Sequence, residues 1–198
     1  MSFFPELPDP GDEEEQEYRR DWTGPPSGLI GGVVAWQGVL ARTDDLVLWA
    51  GHVEVFPVGV AFTIGARVRR RAERRELTMS MFGHAAAPGE SLRVGAEYAD
   101  GRRTTDDHFA ACSWDDEEEE SEPSGPILWP QGGGGGDLET RHGYWLWPAP
   151  LGGDLQIVAQ WLEQGIAECR VTIPAPLLAD AAGRIVEIWP DDVLGRPA

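Results

Sequence analysis

The chain has 198 residues, a formal net charge of −18 and no lysine, so all 16 of its basic side chains are arginines against 34 acids. That length suits one domain with tails and is enough to bury a core. The charge argues against nucleic acid and anionic membrane as general partners, since both are polyanions. No stretch approaches the ~20 apolar residues of a membrane span. Met1–Gly11 has neither the basic start nor the apolar run of a secretory signal, so a cytoplasmic location is expected.

Residues 1–27 read as an acidic, proline-rich disordered tail. Pro5, Pro8, Pro10, Pro25 and Pro26 break helices, and Asp12–Glu17 repel one another. Phe3, Phe4 and Trp22 are the apolar exceptions, able to dock on the body. From Val33 the pattern becomes β-prone, with short runs at Val33–Leu40, Leu46–Trp49 and His52–Phe56 and a turn at Thr43-Asp44-Asp45.

The clearest strand follows. Val58, Val60, Phe62, Ile64, Ala66 and Val68 alternate with Gly59, Ala61, Thr63, Gly65, Arg67 and Arg69, a period of two with one buried face. The next segment concentrates arginine at Arg67, Arg69, Arg70, Arg71, Arg74 and Arg75. It leads into a loop, so 69–90 is expected to be mobile. Leu92, Val94, Ala96 and Tyr98 alternate again. Asp100-Gly101 signals a hairpin with positive φ at both positions and a return strand over Arg102–Phe109.

Asp115–Glu122 is a second acidic run, read as a solvated loop. Gly132–Gly136 reads as a flexible linker, so 114–137 is expected to be a second mobile loop. Tyr144–Trp147 is an aromatic strand. Leu155–Trp161 and Glu168–Ile173 alternate with a period of two. Pro176–Trp189 reads as the one convincing helix, with Leu177, Leu178, Ala181, Ile185 and Ile188 on one stripe, before a tail at 191–198. About eight strands without a βαβ rhythm predict an all-β fold, mainly an antiparallel β-sandwich over 28–190, with one C-terminal helix and disordered acidic segments.

Three blocks carry a resemblance. The first is Ala41-Arg42-Thr43-Asp44-Asp45 with Phe56-Pro57-Val58-Gly59 and the strand ending in Arg67 and Arg69. The second is Asp100-Gly101-Arg102-Arg103. The third is Gly125-Pro126, the glycine run, Tyr144-Trp145-Leu146-Trp147-Pro148 and Trp161. Over roughly 28–190 these resemble a family of uncharacterised actinobacterial proteins. The resemblance implies a shared β-rich body and no catalytic residue.

Candidate chemistry is sparse. The glycine run lacks the GK[ST] of a phosphate loop, and a chain without lysine has no Walker-type site. His52, His84, His108 and His142 show no metal spacing. Asp106-Asp107-His108 reads as a solvated turn end, and zinc through Cys112, Cys169, His108 and His142 would need the fold to gather them. The two cysteines read as free thiols, with one disulfide as the alternative. No GxSxG occurs. No catalytic, cofactor-binding or metal residue is therefore assigned, and no cofactor is expected.

Two features invite a binding role. Arg67, Arg69, Arg70, Arg71, Arg74 and Arg75 form an interaction patch for a protein partner or for the chain's own acidic tails. Trp145, Trp147 and Trp161 are candidates for stacking a sugar or small ligand, although tryptophans of this kind usually pack in the core. The expected function is a non-enzymatic cytoplasmic protein acting through protein–protein contacts. A carbohydrate or small-ligand module and an unrecognised hydrolase are the alternatives.

Overall fold

A computed structural model of the chain describes residues 20–69, 91–106, 123–136, 138–150 and 152–189. Among the described residues, twelve strands and one α-helix follow in order: β1 Leu29–Ile30, β2 Gly32–Val34, β3 Gly38–Arg42, β4 Leu46–Val55, β5 Val60–Val68, β6 Arg93–Tyr98, β7 Arg103–Thr105, β8 Ile127–Gly135, β9 Glu139–Trp147, β10 Leu155–Trp161, β11 Ile166–Ile173, α1 Ala175–Ala182 and β12 Val186–Glu187. One sheet runs β2-β4-β5-β9-β8, with β3 also on β4. A second runs β11-β10-β6-β7, and β1 and β12 make a small ribbon. All pairings are antiparallel.

The alternating strands bury one face each, as their period requires. Val60, Phe62, Ile64, Ala66 and Val68 of β5 meet Val94, Ala96 and Tyr98 of β6 and Leu155, Ile157, Ala159 and Trp161 of β10 in a single hydrophobic cluster. The two large sheets therefore pack face to face as a β-sandwich. Helix α1 adds Leu178 and Ala181 to the core. It lies so close to β2 that a Cβ at Gly32 would sit 1.7 Å from the Ala181 carbonyl oxygen.

A bulge in β4 corrects its parity. The register with β5 shifts between Gly51 and Glu54, and His52 takes a positive φ of 49°. Leu46, Leu48 and Ala50 face the core before the bulge, and Val53 and Val55 face it afterwards. One extra residue thus lets a run that breaks strict alternation remain one strand.

Four expectations are corrected. The glycine run is strand: Gly132, Gly133, Gly134 and Gly135 pair with Gly143, His142, Arg141 and Thr140 of β9. The helix stops at Ala182, because Val186 and Glu187 pair instead with Ile30 and Leu29 of β1. At the hairpin after β6 only Gly101 has positive φ, at 87°. Its N–H donates to the Tyr98 carbonyl, and the Asp100 carboxylate accepts the Arg102 N–H at 3.0 Å. Fourth, Arg20–Gly24, within the expected tail, lies against the body. Trp22 meets Trp147 edge-to-face, and Gln131 donates a side-chain hydrogen bond to the Thr23 carbonyl. The return strand ends at Thr105 among the described residues, and 107–109 lie outside them.

Candidate functional site

The outer face of the second sheet holds a developed polar surface. Period-two alternation puts Arg93, Gly95 and Glu97 of β6 on that face, opposite the core residues Val94 and Ala96. Strand pairing then builds rows across the sheet. One row reads Thr105, Gly95, Val158 and Arg170, and the next reads Arg103, Glu97, Gln156 and Thr172. Arg93 pairs with Gln160 on the other side. Gly95 leaves the middle of its row without a side chain. The result is a shallow, open concavity of about 170 Å³, floored by half-buried Val158 and rimmed by Arg93, Arg103, Arg170 and Gln160.

Charge on this face is organised around Glu97. Its carboxylate accepts from Arg103 Nη2 at 3.1 Å and from Arg170 Nη1 at 2.8 Å, so one acid of β6 links the edge strands on both sides. Arg170 also holds Glu168 at 2.6 Å. The hydrogen bond from Arg103 holds the Glu97 carboxyl below the ordinary carboxylate range, against an opposing desolvation effect, and Arg170 reinforces it. Arg170 is held above its usual value chiefly by the hydrogen bond to Glu168. The rim thus offers guanidinium groups already ordered over a small apolar floor.

The outer face of the first sheet carries a different cluster. The Trp49 ring lies on the backbone of Gly65, where a Cβ would come within 2.2 Å of it. The Arg141 guanidinium sits over the same ring at 5.4 Å, and His52 lies beside it at 5.7 Å. Arg141 and Arg67 both pair with Glu139. An aromatic covering an unprotected glycine on a sheet surface stabilises the pairing of those strands.

A third polar group lies between the sheets. The Asp106 carboxylate accepts the Val94 N–H at 3.0 Å and the Tyr144 hydroxyl at 3.3 Å, and the same hydroxyl lies 3.4 Å from His142 Nδ1. Asp106 therefore turns inward instead of ending a solvated turn. Burial, then the Asp106 charge, pushes the Tyr144 phenol well above its usual value.

The arginine patch expected from the sequence is described only at its start. Arg67 pairs with Glu139 of its own sheet, and exposed Arg69 donates its backbone N–H to the Asp45 carbonyl. Arg70, Arg71, Arg74 and Arg75 lie outside the described residues, as do Cys112 and His108. The three candidate stacking tryptophans are not brought together. Trp161 is fully buried in the core from β10. Trp145 points to the outer face of β9, yet it is 0% exposed beneath Phe56 and the Asp21 carbonyl, to which its indole N–H donates at 2.9 Å. Trp147 is half-buried against Trp22. Among the described residues no three His, Cys, Asp or Glu side chains gather as metal ligands, and no helix is long and apolar enough to cross a membrane.

Sequence reading missed Arg93, Arg103 and Arg170. The available signal was the polar half of each alternating strand, which reads Arg93-x-Gly95-x-Glu97 and Glu168-x-Arg170. The fold defines the class of the molecule, an antiparallel β-sandwich with an open arginine-rimmed face. The chain matches no protein-family model, no curated protein and no solved structure.

Proposed function

We propose that this is a non-enzymatic cytoplasmic protein that works by contact with another protein, through the outer face of its β11-β10-β6-β7 sheet. The observation that carries this reading is the open concavity over Gly95, with three arginines on its rim. Its form favours a macromolecular surface over a small substrate, since small-ligand sites are deep and enclose most of their ligand. The rim supplies charge and hydrogen bonds rather than a nucleophile held against a base. Arginine is enriched where proteins meet, because its planar fork binds carboxylates and its stem packs on apolar surface. The burial of Trp145 and Trp161 weighs against the tryptophan-based sugar module.

Charge reversal tests it. Arg93, Arg103 and Arg170 are changed together to Glu, and the proteins captured from host lysate are compared with those captured by wild type and by Arg42→Glu on the other sheet. A partner held by wild type and Arg42→Glu but lost by the triple variant is the expected result. Identical capture by all three would remove this face as the contact.

A further inference from the structure

We infer that His52 and Arg141 form a proton-sensitive latch on the outer face of the first sheet, closed while the imidazole is neutral and opened when it takes up a proton. The contact itself carries this. Arg141 Nη1 lies 3.3 Å from His52 Nε2. A guanidinium only donates hydrogen bonds and does not lose its proton in proteins. His52 Nε2 is therefore the acceptor, and the one N–H of the ring sits on Nδ1. An imidazolium carries N–H on both nitrogens and has no acceptor left. Protonation turns one hydrogen bond into two cations at the same distance.

The bulge in β4 is what brings the pair together. Leu46, Leu48 and Ala50 face the core, so a regular strand would aim residue 52 at the core as well. The extra residue and the positive φ of 49° turn His52 out to solvent instead. Bulges commonly re-aim a side chain in this way. Across the sheet, Gly65 of β5 lies between Trp49 of β4 and Arg141 of β9 in one paired row. The indole fills the space above Gly65, the guanidinium sits over the ring at 5.4 Å, and the His52 ring lies 5.7 Å from it. The latch thus closes around Trp49.

The charges around the pair determine how it opens. Among the described residues, Glu54 of β4, Glu139 of β9 and Arg67 of β5 are the charged groups on the neighbouring outer-face positions. Next to them, β8 sets Gly134 opposite Arg141, β3 sets Val39 opposite Trp49, and Gln37 reaches Gly51, none of them charged. Glu139 holds Arg141 and Arg67 together. When His52 is protonated, Arg141 keeps Glu139 and gives up His52, while Glu54 offers the new imidazolium a carboxylate. The Trp49 ring loses cover, so the outer face presents more of its indole in mild acid than at neutral pH.

Nitrogen-15 NMR of the full chain tests both states. At pH 8 the His52 ring should carry its N–H on Nδ1, and in Arg141→Ala it should revert to the Nε2–H form usual in water. The Trp49 indole signal, assigned by its loss in Trp49→Phe, should then be followed from pH 8 to pH 5, the span over which histidine changes charge. Its shift should be severalfold larger in wild type than in Arg141→Ala, where only the charge of the nearby imidazole is felt. His52→Gln should abolish the transition, because glutamine accepts from Arg141 at either pH and does not titrate. All three positions are on the sheet surface, and matching circular dichroism confirms that each variant is folded. An Nε2–H ring in wild type at pH 8, equal Trp49 shifts in wild type and Arg141→Ala, or an unchanged transition in His52→Gln would each overturn the latch.

Discussion

Trp145 occupies the space that a side chain at Gly59 would need. A Cβ on Gly59 would lie 2.3 Å from the indole Cζ2 and 2.7 Å from the Leu146 carbonyl oxygen. Neither ring nor backbone can yield cheaply, since Trp145 is fully buried and hydrogen-bonded to Asp21. Gly59→Ala should therefore lower unfolding free energy by about 1–3 kcal/mol, the usual cost of overpacking. Trp145→Ala should cost about 3–5 kcal/mol. Urea unfolding of both variants checks the pair.

The Glu97 clasp gives a signed pH dependence. Its carboxyl titrates below the ordinary range, first because of the hydrogen bond from Arg103. The unfolded chain then holds that proton more tightly than the folded one. The stabilisation is complete above the unfolded carboxylate value and is lost as pH falls through the depressed one. Glu97→Gln should be less stable than wild type at neutral pH, and the two melting curves should converge in acid. Parallel curves at every pH would show that the clasp contributes nothing to folding.

Cys169 should be a slow thiol. Burial raises its pKa, and its Sγ donates to the Ala159 carbonyl at 3.3 Å. The thiolate is the reactive form. In a Cys112→Ser background, alkylation at neutral pH should run well below the rate of a free cysteine peptide and should accelerate on unfolding. A fast native reaction would contradict this environment.

His52 holds left-handed backbone at the β4 bulge. Such a conformation costs a side chain about 1–2 kcal/mol that glycine avoids. His52→Gly should raise stability by at most about 1 kcal/mol, because the contact with Arg141 at 3.3 Å is lost and the unfolded chain gains freedom. Chemical denaturation measures the sign, and a clear loss would mean the ring matters more than the strain.

The fold was legible wherever one face of a strand is dry. The alternation from Val60 to Val68 reads directly onto its buried row. The glycine run has no side chains to alternate, so nothing in it foretells a strand. It becomes one because β9 offers a partner from Thr140 to Gly143. Ile185 and Ile188 continue the helical stripe in sequence, while pairing of Val186 with Ile30 follows a helix that stops at Ala182. Long-range pairing decided both, and periodicity does not record it.

The candidate site was less visible. Arg93, Arg103 and Arg170 are scattered in sequence and meet only through the strand order β11-β10-β6-β7. The run from Arg67 to Arg75 drew notice by density alone, yet Arg67 engages its own Glu139. Tryptophan content likewise could not separate Trp161 in the core from Trp145 beneath the N-terminal segment.

That N-terminal segment bears on how the protein can be handled. A fragment begun at Gly28, where the β-rich texture starts, would lack the Asp21 carbonyl and the Trp22 ring. The Trp147 ring would lose its edge-to-face partner, and the Trp145 indole N–H would lose its acceptor. A shortened protein should be stickier than the whole one, and self-association seen only in that fragment would be a product of the cut rather than a property of the molecule.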